Sequence, residues 1–241
     1  MGLVTNGLQG CSRDSDMPFL VGFHVEGNDY LILRALAAKL LAIPEDDIVP
    51  VDIDTSGRGW EFVLSFIPNA LRRFYAQCAQ FAIVGVDNDG NVDLDLAGVN
   101  EDPNHPRHDN HHGAVLAGCR YCQIMQAVAQ VRPQLNWIPK KPGGTWPILV
   151  AVPVEMIETW LLILRDGNPS FHRRPRSVQK QLLYGRPVAT RSEVLRVALP
   201  LVQNMTKDAA NGLARVSPSF QNFSNQITAA RAAICSTADC W

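Results

Sequence analysis

Carboxylates follow two apolar stretches of this sequence. Glu26 comes directly after Phe19–Val25, and Asp87 and Asp89 follow Phe81–Val86. Stretches that are apolar on both faces are typical of parallel strands covered by helices, and ligands of such sheets gather at the carboxyl ends of the strands. Carboxylates that converge there repel one another unless a divalent cation lies between them, and oxygen ligands suit Mg2+ or Mn2+ better than Zn2+. We therefore predict a magnesium or manganese site formed by Glu26, Asp87 and Asp89.

Two further glutamates, Glu155 and Glu158, stand in an apolar stretch that predicts a helix over Val154–Leu164. A glutamate in the first turn of a helix commonly serves as a partner of the helix dipole, which is the role we expect for Glu155. Glu158 is expected one turn deeper, between Ile157 and Trp160. Because an isolated buried charge is costly, a buried Glu158 has to be paired or bound to a cation.

A second group of metal-ligating residue types contains His108, His112, Cys119 and Cys122. Histidine nitrogens and cysteine sulfurs suit a tetrahedral zinc site, which would be separate from the carboxylate site. The spacing is not that of a standard zinc finger, so a second interpretation stays open. In that interpretation the histidines are exposed in a loop and the thiols lie on one turn of a helix without a metal.

Strands and helices alternate along the chain in the way that predicts an α/β fold, with a mostly parallel sheet and right-handed crossovers. Asn28 is the expected N-cap of the first helix, and the polar stretch Gly90–Asn110 is expected to form a surface loop beside the metal site. The predicted strands are Phe19–Val25, Val49–Asp54, Phe81–Val86 and Ile148–Val152, and the predicted helices are Asp29 to about Ile43, Glu61–Gln77, a stretch from Cys119 to near Val131, and Val154–Leu164.

The formal net charge of -1 hides an uneven distribution along the 241 residues. From Arg165 onward, eleven Lys and Arg stand against four acids, net +7, so residues 1–164 carry eleven against nineteen, net -8. We predict a flexible leader over 1–16, an α/β domain over 17–164 and a basic helical extension over 165–241 that packs on it. A basic surface is compatible with binding to a phosphate backbone and equally with simple solvation.

The composition also bears on location and redox state. No apolar run reaches the ~18 residues of a membrane-spanning helix, and the N-terminus lacks a basic segment followed by a hydrophobic core. We therefore expect a cytoplasmic protein without membrane contact, whose six cysteines are reduced thiols or metal ligands. The sequence leaves open whether the chain forms a homo-oligomer.

With these residues in view, the sequence resembles proteins of the TOPRIM fold, in particular the small stand-alone type related to OLD nucleases. The resemblance lies in Val25-Glu26-Gly27 between a strand and a helix and in Val86-Asp87-Asn88-Asp89 at the end of a later strand. It covers about Phe19 to Leu164. The stretches Pro153–Leu162 and Pro218–Phe223 are also similar to small TOPRIM proteins of bacterial defence loci.

The resemblance implies roles for several residues. Glu26 would act as acid or base and as a metal ligand, while Asp87 and Asp89 would hold Mg2+ against a phosphate. The OLD-type pattern has a further acid four residues after the glutamate, but here that position is Tyr30 and the acid is Asp29. Two candidates lie outside the motif. Glu158 would supply the metal ligand that the motif lacks, and Lys180 would neutralise the negative charge of the transition state.

By this resemblance we expect a divalent-metal-dependent nuclease of a bacterial antiviral defence system, acting on DNA or RNA. Two cations of such a site clamp the phosphate and activate water. Two alternatives stay open. The first is a non-catalytic binding subunit of a defence or regulatory complex, which Tyr30 favours because it stands where the pattern has an acid. The second is a small-molecule phosphatase. The sequence has no P-loop, so any dependence on ATP would come from an ATPase partner protein.

Overall fold

A computed structural model of the chain describes residues 18–53, 59–87, 120–135, 146–153 and 156–236. Four parallel strands form one sheet in the order β2-β1-β3-β4, and the predicted α/β class is confirmed. The strands are β1 (Phe19–Val25), β2 (Ile48–Ile53), β3 (Phe81–Gly85) and β4 (Ile148–Ala151). The α-helices are α1 (Asp29–Leu41), α2 (Trp60–Ala76), α3 (Arg120–Leu135), α4 (Ile157–Asp166), α5 (Arg176–Tyr184), α6 (Arg191–Glu193), α7 (Leu199–Gln203), α8 (Lys207–Val216) and α9 (Pro218–Ser236), with a π-helical stretch Val194–Ala198 between α6 and α7.

The strand order places a topological switch point between β1 and β3. The chain leaves β1 toward β2 on one side and returns past it to β3 on the other. Alternate side chains of β3 accordingly face opposite layers: Phe81 and Ile83 pack with α1, whereas Ala82 and Val84 pack with α2 and α3. In sheets of this kind the crevice at the carboxyl ends of the two strands flanking the switch point is the usual place for a ligand.

On the α2 face, helix and strand approach closely at a glycine. A Cβ atom added at Gly22 of β1 would lie 2.3 Å from ring atoms of Phe74 in α2. Because the ring occupies the space that any side chain at position 22 would need, α2 packs directly on the backbone of β1. Pro68 lies inside α2.

The opposite face carries most of the C-terminal helices. Trp160 of α4 is fully buried between Phe220 and Phe223 of α9, and its indole N–H donates to the Ser219 hydroxyl at 2.9 Å. The three aromatic residues belong to the same hydrophobic cluster as Phe23 of β1. The core on this face therefore includes residues from both sides of the boundary predicted at 164/165.

The edge of the sheet at β4 is covered by a side chain of the extension. The Gln226 amide of α9 accepts from the Val150 N–H at 2.8 Å and donates to the Val150 carbonyl at 2.9 Å. An amide side chain thus makes the two hydrogen bonds that a neighbouring strand would make, which protects an edge that would otherwise be open to pairing.

Some predicted boundaries differ from the observed ones. Helix α1 ends at Leu41 rather than near Ile43, because Ala42 adopts the left-handed conformation with φ 54°. Asn28 stands at the N-cap position but its side chain makes no capping hydrogen bond. The prediction that a helix begins at Val154 is wrong, since Met156 is extended and α4 begins at Ile157. The predicted leader over 1–16, Glu155 and the loop Gly90–Asn110 lie outside the described residues. No helix in the described ranges is long and apolar enough to cross a membrane.

Candidate active site

A cleft of about 310 Å³ opens at the carboxyl edge of the sheet, at the switch point between β1 and β3. Its volume is at the lower end of the range for ligand pockets, roughly 300–1,000 Å³. Among the described residues, four carboxylates and two cationic side chains line it, and they come from five different elements or their ends. The lining residues are Glu26, Gly27, Asn28, Asp29, Gly59, Asp87, Glu158, Arg176, Lys180, Ala189 and Val194.

The register of the sheet brings Glu26 and Asp87 together. Val25, the last residue of β1, is paired with Gly85, the last residue of β3, so the two acidic continuations leave the sheet side by side. The Asp87 N–H donates to Glu26 Oε1 at 3.3 Å. Gly27 has a φ of 51°, a left-handed conformation that a side chain disfavours, and this lets the chain turn into α1 at once.

Asp87 is a buried carboxylate, 3% exposed, and both of its carboxylate oxygens have partners. Oδ1 accepts from the N–H of Ile157, the first residue of α4, at 3.1 Å. Oδ2 accepts from Arg176 Nη2 at 3.1 Å. The carboxylate therefore satisfies one of the unpaired N–H groups at the start of α4 and complements the positive end of that helix dipole.

The backbone of Asp87 is held by a buried arginine that the sequence did not single out. Arg120, the first residue of α3, donates from Nη1 to the Asp87 carbonyl oxygen. Its guanidinium lies over the Trp60 ring, with the Cζ atom 4.4 Å from the ring centroid. Trp60 begins α2 directly after Gly59, which lines the cleft. Residues at the starts of α2 and α3 thus contact each other beside Asp87, just after the end of β3.

Glu158 lies in the first turn of α4 and not one turn deeper, because the helix begins later than predicted. It is buried and, as expected for a buried glutamate, it has a cationic partner: Lys180 Nζ lies 3.9 Å from Glu158 Oε1. Burial raises the pKa of Glu158 above its ordinary value, and the Lys180 ammonium opposes that shift. The Tyr184 hydroxyl faces the same carboxylate, and burial followed by the charge of Glu158 raises the pKa of Tyr184.

Asp29 is the fourth carboxylate of the cleft, and sequence reasoning did not place it in the site. Burial, then the charges of Glu158 and Glu26, raise the pKa of Asp29 well above its ordinary value of 3.8. The pKa of Asp87 is likewise raised by burial and then by Asp29, Glu158 and Glu26. The four acids therefore share one electrostatic environment, and among the lining residues that the structure describes, two cations against four carboxylates give a net negative charge when all are ionised.

Tyr30 has no part in this cleft. It is 7% exposed and makes an edge-to-face contact with Phe23, with ring centroids 6.4 Å apart. Because successive residues of a helix are about 100° apart, α1 directs Asp29 to the cleft and Tyr30 to the core. The cleft therefore has an acid from position 29 and no side chain from position 30.

Helix α5 provides the cationic side of the cleft. Arg176, Lys180 and Tyr184 are spaced by four residues, which puts them on one face of the helix, and each lies against the acidic cluster. The predicted candidates Glu26, Asp87, Glu158 and Lys180 thus lie around one cleft, and Asp29, Arg176 and Arg120 are the residues that sequence reasoning missed.

Other predicted site residues are not placed. Asp89, His108, His112 and Cys119 lie outside the described residues, while Cys122 is a buried free thiol in α3. In the part of the chain that the structure describes, no three His, Cys, Asp or Glu side chains are already arranged as a metal-binding group. No protein-family model, curated protein or solved structure matches this chain.

Proposed function

We propose that this chain is a divalent-metal-dependent nuclease with a TOPRIM-like fold. The observation that carries the proposal is the convergence of four carboxylates, Glu26, Asp29, Asp87 and Glu158, on one cleft at the topological switch point. The parallel sheet, with Glu-Gly directly after β1 and an aspartate after β3, supports the more specific fold assignment.

The donor set fits a hard divalent cation. All four acidic groups of the cleft offer oxygen atoms, and the pKa values of Asp29 and Asp87 are raised by burial first and then by the negative charges of the neighbouring carboxylates. Oxygen-rich, negatively charged sites are those that bind Mg2+ and Mn2+. Glu26, Asp29 and Asp87 would hold the ion, with Glu158 as a further ligand. When bound, the ion would supply positive charge that stabilises the phosphate, and it would lower the pKa of a bound water.

The side chains of the cleft have complementary parts in phosphodiester hydrolysis. Glu26 is more exposed than Asp87 and would take the proton of an attacking water. Lys180 would neutralise the negative charge that develops on the phosphate. Asp87, fixed by α4 and Arg120, keeps the acidic cluster in position.

The proposed substrate is DNA or RNA. Its phosphate groups would interact with the cationic side chains of the cleft, which come from the basic extension. By its resemblance to the OLD-nuclease type, we place the chain in a cytoplasmic antiviral defence system, with an ATPase as partner protein.

The test is cleavage by purified protein of labelled DNA and RNA with Mg2+ or Mn2+. Asp87→Asn keeps an acceptor for the Ile157 N–H while it removes the charge, and Glu26→Gln removes the proposed base. We expect each variant to lose at least 100-fold in rate, on the order of the contribution of general acid–base catalysis. Asp47→Asn, an exposed aspartate remote from the cleft, is the matched control. Equal cutting by Asp87→Asn and wild type would refute the assignment.

A second candidate is a binding module without catalysis. Its support is that Asp87 and Glu158 each already have a cationic side chain as partner, so these two acids are partly neutralised without a metal ion. Calorimetric titration with an oligonucleotide in EDTA separates the two functions. A binding module would bind equally well with and without divalent cations, whereas the proposed nuclease should bind the oligonucleotide more tightly when Ca2+ replaces EDTA.

A further inference from the structure

Asp87 presents no carboxylate oxygen that is without a protein partner. Oδ1 accepts from the Ile157 N–H and Oδ2 accepts from Arg176, each at 3.1 Å. A carboxylate oxygen has two lone pairs, so Oδ1 keeps one acceptor site beside the neutral Ile157 N–H, whereas at Oδ2 a cation must share the oxygen with the guanidinium or displace it. On either oxygen the cation lies close to the guanidinium charge. Sharing is unfavourable, because two positive charges at adjacent positions on one oxygen repel each other strongly.

The two partners of Asp87 differ in how easily they can leave. Ile157 donates through its backbone, which is fixed at the start of α4. Arg176 donates from the end of a long side chain that is 43% exposed, at the first residue of α5. Its guanidinium can move while the helix stays in place. A phosphate that enters the cleft offers it a new partner, and the planar guanidinium suits the two oxygens of a phosphate.

We propose that Arg176 alternates between two partners: it pairs with Asp87 when no divalent cation is bound, and it turns to the substrate phosphate when a cation takes Asp87. Lys180, one turn along the same helix face, keeps its contact with Glu158. This inference rests on the proposed function, since it assumes that the cleft binds a cation and a phosphodiester.

The exchange has a consequence that a purely structural arginine would not have. Removal of Arg176 should tighten cation binding, because its competitor for Asp87 is gone, and should weaken nucleic acid binding, because a phosphate contact is lost. An arginine that only holds the site in shape would weaken both when it is removed. Opposite changes of the two affinities therefore separate an arginine that competes with the cation and contacts the phosphate from one that only holds the site in shape, and the Arg174→Gln control measures how much of the change comes from charge alone.

The experiment uses Arg176→Gln and Arg176→Lys in the full chain, with far-UV circular dichroism to check folding. Mn2+ affinity is measured by calorimetry without nucleic acid. Affinity for a fluorescein-labelled DNA oligonucleotide is measured by anisotropy with Ca2+, and a gel checks that the oligonucleotide stays intact. Arg174→Gln is the matched control, because it removes the same charge from an exposed position two residues away.

For Arg176→Gln we expect about threefold to tenfold tighter Mn2+ binding, as for loss of a half-exposed ion pair, and about tenfold weaker oligonucleotide binding, as for loss of one charged phosphate contact. Arg176→Lys should lie between that variant and wild type. Weaker or unchanged Mn2+ binding by Arg176→Gln, or the same tightening by Arg174→Gln, would overturn the exchange. If Asp87→Asn and wild type bind Mn2+ equally, the proposed metal site fails as well, which distinguishes the two failures.

Discussion

The four carboxylates of the cleft should make the cation-free protein less stable than it would be with three. Asp29 is the best position at which to test this, because its pKa is raised by burial and by the charges of Glu158 and Glu26. Among the described residues, its side chain also makes no hydrogen bonds comparable to those of Asp87. Asp29→Asn removes the charge and keeps the size of the side chain. We expect the variant to unfold at a higher temperature than wild type in cation-free buffer at pH 8.

The magnitude follows from the coupling between neighbouring charges. Groups in contact typically interact by about 0.5–3 kcal/mol, and for this half-buried aspartate we take about 1–2 kcal/mol. In a domain of this size each 1 kcal/mol shifts Tm by roughly 2–4 °C, so the gain is about 2–8 °C. With Mn2+ at about 100 times its Kd, wild type gains about 2.7 kcal/mol, and Asp29→Asn should lose most of that gain because a ligand is gone.

The gain should also depend on pH. The folded state holds a proton on Asp29 at pH values where the unfolded chain has released it, so wild-type stability falls as pH rises through the window above 3.8. The advantage of Asp29→Asn should therefore be small at acidic pH and full above the folded-state pKa. Thermal unfolding of both proteins between pH 5 and pH 8, with Asp47→Asn as an exposed control, measures this. A lower Tm of Asp29→Asn at pH 8, or an unchanged response to Mn2+, would refute the reasoning.

Three further changes test packing and pairing by urea denaturation. Gly22→Ala should lose about 1–3 kcal/mol or more, because the new methyl group meets Phe74 at 2.3 Å; full stability would mean that α2 moves freely. Lys180→Met should lose about 1–3 kcal/mol at pH 8, less than a fully buried pair because Lys180 is 19% exposed, and Glu158→Gln in the same chain should recover most of it. That loss should shrink at low pH, where Glu158 is protonated. Thr206→Ala should cost about 1 kcal/mol, because its hydroxyl caps α8 at the Ala209 N–H, and no loss would argue that α8 frays in the native state.

The sheet and the acidic ends of its strands could be predicted from the sequence, because short apolar stretches between turn residues determine both. Strand β1 has the predicted bounds, and the other strands agree to within a residue at each end. Glu26 and Asp87 then follow from the parallel arrangement, since the carboxyl ends of parallel strands meet at one edge. Helix ends were predicted less well, because Ala42 and Met156 take backbone conformations that their residue types do not signal.

The rest of the cleft depends on tertiary contacts that no local pattern specifies. The spacing of Arg176 and Lys180 shows that they share a helix face, but nothing in the sequence shows that this face meets Asp87 and Glu158. Arg120 follows a long polar segment and carries no sign that it is buried. Asp29 was within reach of sequence reasoning: as the first residue of a helix that starts beside Glu26, it occupies the position from which a side chain reaches the cleft.

The cleft explains part of the opposite net charges of residues 1–164 and 165–241. Among its described residues, the carboxylates all precede position 165 and the cations both follow it. Helix α5 lies on the acidic cluster that β1, α1, β3 and α4 create, so the basic extension compensates part of a charge that the α/β part cannot compensate by itself. Because α9 also completes the core around Trp160 and covers the edge of β4, the same extension stabilises the sheet and neutralises its acidic edge. A basic surface that evolved only for solvation would not need to place Arg176 and Lys180 on the two most buried acids of the cleft.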